Sequence, residues 1–338
     1  MGIIHFLNVK NGDCSIIQHA TGRVSVIDVC NAGRVTSEHK GLDETLVKAA
    51  VHGNFNQKDC PVNPTAYLKR LGVTSIFRFI LTHPDMDHMD GLHALYKEFP
   101  PANFWDTDNA KTMNFGEGSP YSKEDWCLYR SIRDGTINNG PKRLTLYAGS
   151  TGQYWSQGDN GDEGDGLQIL APTRRLVNRA SKSDDYNDAS YVILYRSVGG
   201  RVLFAGDSHD DTWDYILTNH AEDVRNVELL IAPHHGRKSG RKYEFLDVVS
   251  PSLTLFGNAD STHLAYSAWN YRELDYITNN QAGCVVVDTN SSAIEVYVSN
   301  KALVAKNPFV YPSYSTQHMG YHLRTLKRRE TKRSRRSI

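Results

Sequence analysis

The chain has 338 residues, of which 38 are basic and 38 acidic, so its formal net charge is zero, and 39% are hydrophobic. That length suits one large domain or two ordinary ones. No apolar run approaches 18 residues, which argues against a transmembrane helix. The start, MGIIHFLNVKNGDCSII, lacks the basic and then apolar layout of a secretory leader. Gly2 is followed by Phe6 where a myristoylation signal wants Ser or Thr. Cys14, Cys30, Cys60, Cys127 and Cys284 are scattered and form no CxxC pair. This argues against a cysteine zinc site or a disulfide framework. A reducing cytoplasm without membrane contact is the expected setting.

In chain order, IIHFLNV (3–9), the stretch after Asn11-Gly12, and VSVIDV (24–29) read as strands of a hairpin-like unit. A helix is expected around 42–53 and another over PTAYLKRLGV (64–73). SIFRFIL (75–81) reads as a buried strand and MDGLHALYKEF (89–99) as the helix behind it. Residues 101–165 resist assignment and are treated as an insertion. They end in YWSQGDNGDEGDG (154–166), whose Asp159, Asp162, Glu163 and Asp165 lack the spacing of a helix-loop-helix calcium site. A surface loop is expected there. Strands resume at LQILAP (167–172), ASYVILYRSV (189–198) and RVLFAGD (201–207). A helix follows at 211–224, then VELLIAPHHG (227–236), the mixed stretch 244–260, a helix over 265–280, and strands at 284–290 and 293–298. The two halves look alike without an internal sequence repeat. One α/β domain over residues 1–300 is the economical description, with a basic extension, 301–338, expected to be partly disordered. Its end, LRTLKRRETKRSRRSI (323–338), holds eight cations against Glu330, which leaves 30 basic and 37 acidic residues in the body. Such a block can bind nucleic-acid phosphates through counterion release, or pair with the acidic body.

The stretch THPDMDHMDG (82–91) concentrates His83, Asp85, Asp87 and His88 at the end of an apolar strand. Like charges so close together cost free energy unless a cation or buried partners compensate them. Two more polar clusters also follow strands: Asp207 ends RVLFAGD, and His234-His235 follow ELLIAP. Strand ends share one rim of a sheet, where distant stretches can assemble a site. Histidine with aspartate suits zinc or manganese.

The chain resembles the metallo-β-lactamase superfamily, whose signature is a His-x-His-x-Asp-His loop with later His and Asp ligands. More narrowly it is similar to the hydrolase domain of ComEC-type DNA-uptake proteins, where the second His of that loop is Asp. FLNVKNGDCSII, VIDV, LTHPDMDHMDGL, NDASYVIL, VLFAGD, IAPHHG, FGNADSTH and VVVDTNSSAIEV match in order, over roughly residues 3–298. The resemblance implies an αββα sandwich with two divalent metal ions, Zn²⁺ or Mn²⁺, at one rim. It assigns His83 and Asp85 to the first metal, Asp87 and His88 to the second, and Asp207 to both. His235 takes the place of the last histidine, with His234 a neighbour or substitute near substrate. Asp28 supports the loop from behind. The third histidine usual before Asp207 is missing. Its stretch, DDYNDAS (184–190), offers Asn187, which matches the ComEC-type pattern, and Asp188, a candidate oxygen ligand.

Two bridged cations make hydroxide available near neutral pH and clamp the group attacked. A phosphodiester is the natural electrophile. Asp87 would orient the hydroxide, His263 would protonate the leaving oxygen, and Arg237 with Lys238 would bind substrate phosphates. The expected function is a metal-dependent phosphodiesterase, foremost a nuclease. Hydrolysis of a small phosphoester, cyclic nucleotide or lactone is the alternative, and a non-catalytic nucleic-acid-binding module is the third reading.

Overall fold

A computed structural model describes residues 2–32, 55–157, 164–259, 261–306 and 311–329. The helix expected around 42–53, Asp159, Asp162 and Glu163, and residues 330–338 of the basic tail lie outside these.

Twelve strands fall into two runs with one pairing pattern. The first run is β1 (Gly2–Phe6), β2 (Ser15–His19), β3 (Val24–Ile27), β4 (Arg78–Ile80), β5 (Asn103–Asp106) and β6 (Lys142–Thr145). The second is β7 (Leu167–Ala171), β8 (Val192–Arg196), β9 (Arg201–Phe204), β10 (Leu229–Ile231), β11 (Leu253–Phe256) and β12 (Tyr276–Thr278). In each run the first three strands pair antiparallel and the third to sixth pair parallel. The halves thus repeat in pairing although they do not repeat in sequence. Four more strands, β13 (Val285–Asp288), β14 (Ala293–Val298), β15 (Tyr314–Ser315) and β16 (Gly320–Lys327), extend the first sheet beyond β1 to ten strands.

The strands are apolar on both faces, as sheets covered on both sides require. Val202 and Phe204 of β9 and Leu229 and Ile231 of β10 face a central core shared with Ile4, Phe6, Ile27, Ile80 and Trp105 of the other sheet. Their neighbours Leu203, Ala205, Leu230 and Ala232 face outward against Trp213 and Ile216 of α5 (Asp210–Val224), which follows four earlier helices among the described residues. Of these, α1 (Pro64–Arg70), α2 (Leu92–Glu98) and α3 (Lys123–Arg133) cover the first sheet through Leu68, Leu95 and Tyr129, and α4 (Arg174–Ser183) precedes β8. The result is the expected αββα sandwich. Among the described residues no helix is long and apolar enough to cross a membrane.

Four expectations need correction. Residues 101–165, which resisted assignment, carry regular structure: β5, β6 and α3 extend the first sheet and its helical cover. NFWD and KRLT are simply too short and polar to announce themselves as strands. The single helix expected over 265–280 breaks after Tyr266–Asn270, because Glu273 turns left-handed (φ 53°) and Tyr-Ile-Thr enters the sheet as β12. The chain beyond residue 300 returns as β16, with Leu326 buried opposite Ile294. Its charges hid the alternation of Tyr321 and Leu323, which pack on the central core. Arg324 pairs with Asp275 at 2.6 Å, and Arg328 donates to the Val198 carbonyl at 3.1 Å, so part of the basic block is spent on the body. Asp165 is a buried partner of Arg23 (2.9 Å) and Arg78 (2.7 Å), an ion-pair role.

Two buried histidines in the first sheet link the fold to pH. Burial pushes His5 down to about 4 and His19 down to about 3. His5 meets Tyr67 and Gln18, and His19 meets Ser25 at 2.8 Å. Both stay neutral while the unfolded chain takes up protons below pH 6.5, so their contribution is complete above 6.5 and falls with pH towards 4. Stability should drop by roughly 1.4 kcal/mol per pH unit for each fully responding histidine. Denaturant midpoints measured from pH 7 to 4.5 should fall, and the slope against pH should flatten in a His5→Asn/His19→Asn variant.

Candidate metal centre

The loop after β4 is held in place from behind. Asp28, just past β3, sits at φ 56°, a left-handed conformation unusual for a non-glycine residue. Its carboxylate accepts from the Thr82 amide and hydroxyl, both at 2.7 Å, and lies 2.8 Å from His88 Nδ1. Gly12 packs against the front of the loop. A Cβ there would meet the Asp87 carbonyl at 2.2 Å, so only glycine fits. That contact places the next residue, Asp13, 3.0 Å from His235 Nδ1.

The second half contributes through the equivalent strand ends. After β9 the chain turns at Gly206 (φ 50°), and the Asp207 amide donates to Ser190 at 3.0 Å. After β10, His234, His235 and Gly236 take φ of 52°, 57° and 83° in succession. Left-handed non-glycine residues cost about 1–2 kcal/mol each. The turn is locked by His234 N donating to the Gly206 carbonyl at 2.9 Å and by Gly236 against the Phe256 ring. It sets the two imidazoles at 73° to each other, with both Nε2 atoms directed at Asp207 Oδ2.

Asp207 is the centre of the cluster. Its carboxylate lies 3.3 Å from His88 Nε2, 3.6 Å from His234 Nε2, and 3.8 Å from both His83 Nε2 and His235 Nε2. On one side Asp85 lies 3.7 Å from His83, and on the other Asp87 lies 3.5 Å from His235. His83, His88 and Asp207 form one candidate cation group; Asp87, His88 and His235 form another, and Asp13, Asp207 and His235 a third. The Nε2 atoms of His83, His88 and His235 and Oδ1 of Asp207 are buried with no hydrogen-bond partner. Such orphans cost about 1–3 kcal/mol each unless something fills the space between them. A divalent cation fits this donor set.

The charges agree. Burial pushes Asp207 up, but His88, His235, His234 and His83 outweigh it and hold the carboxyl well below the usual range. Asp87 is likewise held down, against its burial, by His88 and His235. Burial would lower His235, yet Asp13 and Asp207 raise it to about 10, and Asp207 and Asp28 raise His88 in the same way. The carboxylates around His88 and His235 therefore favour positive charge at this centre, as a cation would bring.

The remaining sequence-predicted residues lie apart from this cluster or at its edge. Asn187 turns its amide back to Asp185 at 2.9 Å. Asp188 does not fill the gap left by the missing histidine. Its Oδ1 accepts from the His209 and Thr212 amides and from the Thr212 hydroxyl, capping α5. Arg237 is half-buried and pairs with Leu264 in an isolated bridge, while Lys238 and His263 are exposed and joined by a backbone hydrogen bond. Three residues at the centre were missed in sequence. Asp13 follows the Asn11-Gly12 turn and has no ligand spacing around it. Lys111, which pairs with Asp85 and lies over the Tyr186 ring, sits in the illegible segment. Arg241 is buried against the Asp207 carbonyl at 3.3 Å and carried no motif.

The Lys111 ammonium neutralises Asp85 on the His83 side. Lys111→Met should raise affinity for an added divalent cation about fivefold, the equivalent of ~1 kcal/mol for a partly exposed ion pair. Titration calorimetry of the metal-free chain with Mn²⁺ checks this, with Lys111→Arg expected to remain near wild type.

No protein-family profile matches the chain, and no curated protein matches it. Among solved structures, the metallo-β-lactamase fold protein YhfI from Bacillus subtilis overlays with a TM-score of 0.48 at 9% identity, covering 85% of this chain and 100% of that one. Igni18, a metallo hydrolase from Ignicoccus hospitalis, gives 0.45 at 11% identity over 85% of this chain and 99% of its own. Tm1679, a metal-dependent hydrolase of the β-lactamase superfamily, gives 0.45 at 12% identity over 82% and 96%. These are similarities of chain trace, and the chemistry rests on this chain's own side chains.

Proposed function

We propose that the chain is a metal-dependent phosphodiesterase of the metallo-β-lactamase superfamily, of the ComEC-type subgroup, acting foremost on nucleic acid. The observation that carries the reading is Asp207, a buried carboxylate whose Oδ2 lies 3.8 Å from both His83 and His235 Nε2 and whose Oδ1, 3.3 Å from His88 Nε2, has no hydrogen-bond partner. Two divalent cations held there would supply a water of lowered pKa and neutralise charge gathering on a phosphoryl group.

The chain's own groups divide the remaining work. Asp28 fixes the loop through Thr82 and His88, so the donors need no rearrangement. Asp87, with 23% of its side chain exposed, is the carboxylate at the open edge placed to orient a water. His263 and Lys238, exposed and adjacent, are the proposed proton donor to the leaving oxygen and a phosphate contact. Arg237 follows the PHHG turn on the same segment. Of the basic tail, residues 323–338, Lys332, Arg333, Arg335 and Arg336 remain the proposed nucleic-acid contact.

The second reading, hydrolysis of a small phosphoester, is favoured by Lys111, which brings the irregular segment between β5 and α3 onto Asp85 and narrows one side. A nuclease assay with single- and double-stranded DNA and Mn²⁺ or Zn²⁺ separates the two. Cleavage is expected, with Asp87→Ala and Asp207→Ala lowering it at least about a hundredfold. Intact DNA beside turnover of a small phosphoester would reassign the substrate.

A further inference from the structure

Four histidines surround Asp207, and what stands behind each ring differs. An imidazole that coordinates through Nε2 carries its proton on Nδ1, where it needs an acceptor. His88 has the Asp28 carboxylate at 2.8 Å from Nδ1, and His235 Nδ1 has the Asp13 carboxylate at 3.0 Å as a charge partner, though not in hydrogen-bond geometry. His83 Nδ1 lies 3.2 Å from the Thr82 hydroxyl, whose one hydrogen is already given to Asp28, so that oxygen accepts from the ring. His234 is the exception. Behind its Nδ1, at 3.4 Å, lies Nη2 of Arg241, a group that only donates.

The donor behind the ring makes His234 Nδ1 the acceptor nitrogen and puts the ring proton on Nε2. Nε2 points into the centre, 3.6 Å from Asp207 Oδ2, too long for a hydrogen bond. Exposure separates the same residue from the rest: the side chains of His83 and His88 are fully buried and His235 is 2% exposed, whereas His234 is 20% exposed. Arg241 is itself buried, with Nε and Nη1 unpartnered, so its position is fixed by packing around the Asp207 carbonyl and His234.

We infer that His234 is a neutral hydrogen-bond donor to an oxygen of the substrate group under attack, positioned by Arg241, and not a metal ligand. This rests on the metallohydrolase reading and refines it. The first histidine of PHHG does not replace the missing third ligand; it supplies a donor facing the open side. No proton is transferred. The Nε2–H group strengthens its hydrogen bond as charge builds on the oxygen, an oxyanion-type contribution of about a hundredfold to a thousandfold in rate.

The test uses the full chain loaded with Zn²⁺ and labelled with ¹⁵N-histidine. One cluster imidazole should show a proton on Nε2 and a bare Nδ1, and that signal should vanish in His234→Ala. Zn²⁺ content of His234→Ala should equal wild type, while kcat on bis(p-nitrophenyl) phosphate falls about a hundredfold with KM nearly unchanged. Arg241→Met should shift the His234 proton towards Nδ1, and Arg241→Lys, which keeps a donor, should retain it. Loss of one Zn²⁺ equivalent in His234→Ala, or a proton on Nδ1 of His234 in wild type, overturns the assignment. Both readouts need no substrate. If they hold while the phosphodiester is untouched, the phosphodiesterase reading fails and the donor assignment stands.

Discussion

Everything at the rim is organised by one buried carboxylate that has more positive neighbours than hydrogen-bond partners. Asp207 is 2% exposed, four imidazole nitrogens stand 3.3–3.8 Å from it, and its Oδ1 has no hydrogen-bond partner. A carboxylate in that position is tolerated because positive charge surrounds it, whether as protons on His88 and His235 or as a cation. The histidines in turn are held apart by groups behind them. Asp28, Thr82 and Asp13 hold three rings from one side, and Arg241 holds the fourth from the other. The spacing is thus a property of the surrounding sandwich, and the gap inside it is fixed before anything enters.

That sandwich can sustain the strain stored at the rim. Asp28, His234 and His235 adopt left-handed backbone within a few residues of strand ends, beside Gly206 and Gly236, which take it without strain. Such conformations persist when the flanking structure over-determines them. Here each follows a strand hydrogen-bonded on both sides, and each turn is pinned by a backbone bond such as Asp28 N to Ile80 O at 2.9 Å or His234 N to Gly206 O at 2.9 Å. Short, stiff strands ending in sharp turns throw side chains back over the sheet edge. A gradual loop would not bring two consecutive residues, His234 and His235, both against one carboxylate oxygen.

Much of this was legible in sequence because the ligand-rich loops interrupt long apolar patterns. RVLFAGD and VELLIAPHHG each show an apolar run followed abruptly by Gly or Pro and a polar cluster, and β9 and β10 fall within those runs. The polar end strands were not legible. NFWD and KRLT gain their strand character from pairing with β4 and with each other, which no local pattern records. β16 was hidden for a different reason. Its basic residues point away from the core, so charge dominated a stretch whose Leu326 is buried. Lys111 and Arg241 were invisible because a lone basic residue has no spacing signature; only the fold shows what it stands behind.

The repeated pairing pattern explains why two aspartates at matching strand ends play different roles. Asp28 follows β3 and Asp207 follows β9, the third strand of each run. His88 lies between them, with Nδ1 2.8 Å from Asp28 and Nε2 3.3 Å from Asp207. The two nitrogens of a ligating imidazole divide these roles, the protonated one being anchored while the bare one faces the gap. Asp28 uses its remaining acceptor capacity on Thr82 and so becomes scaffold, whereas Asp207 keeps Oδ1 without a partner. The two halves contribute the same residue type at the same topological position, and the tautomer of a single histidine decides which of them faces the chemistry.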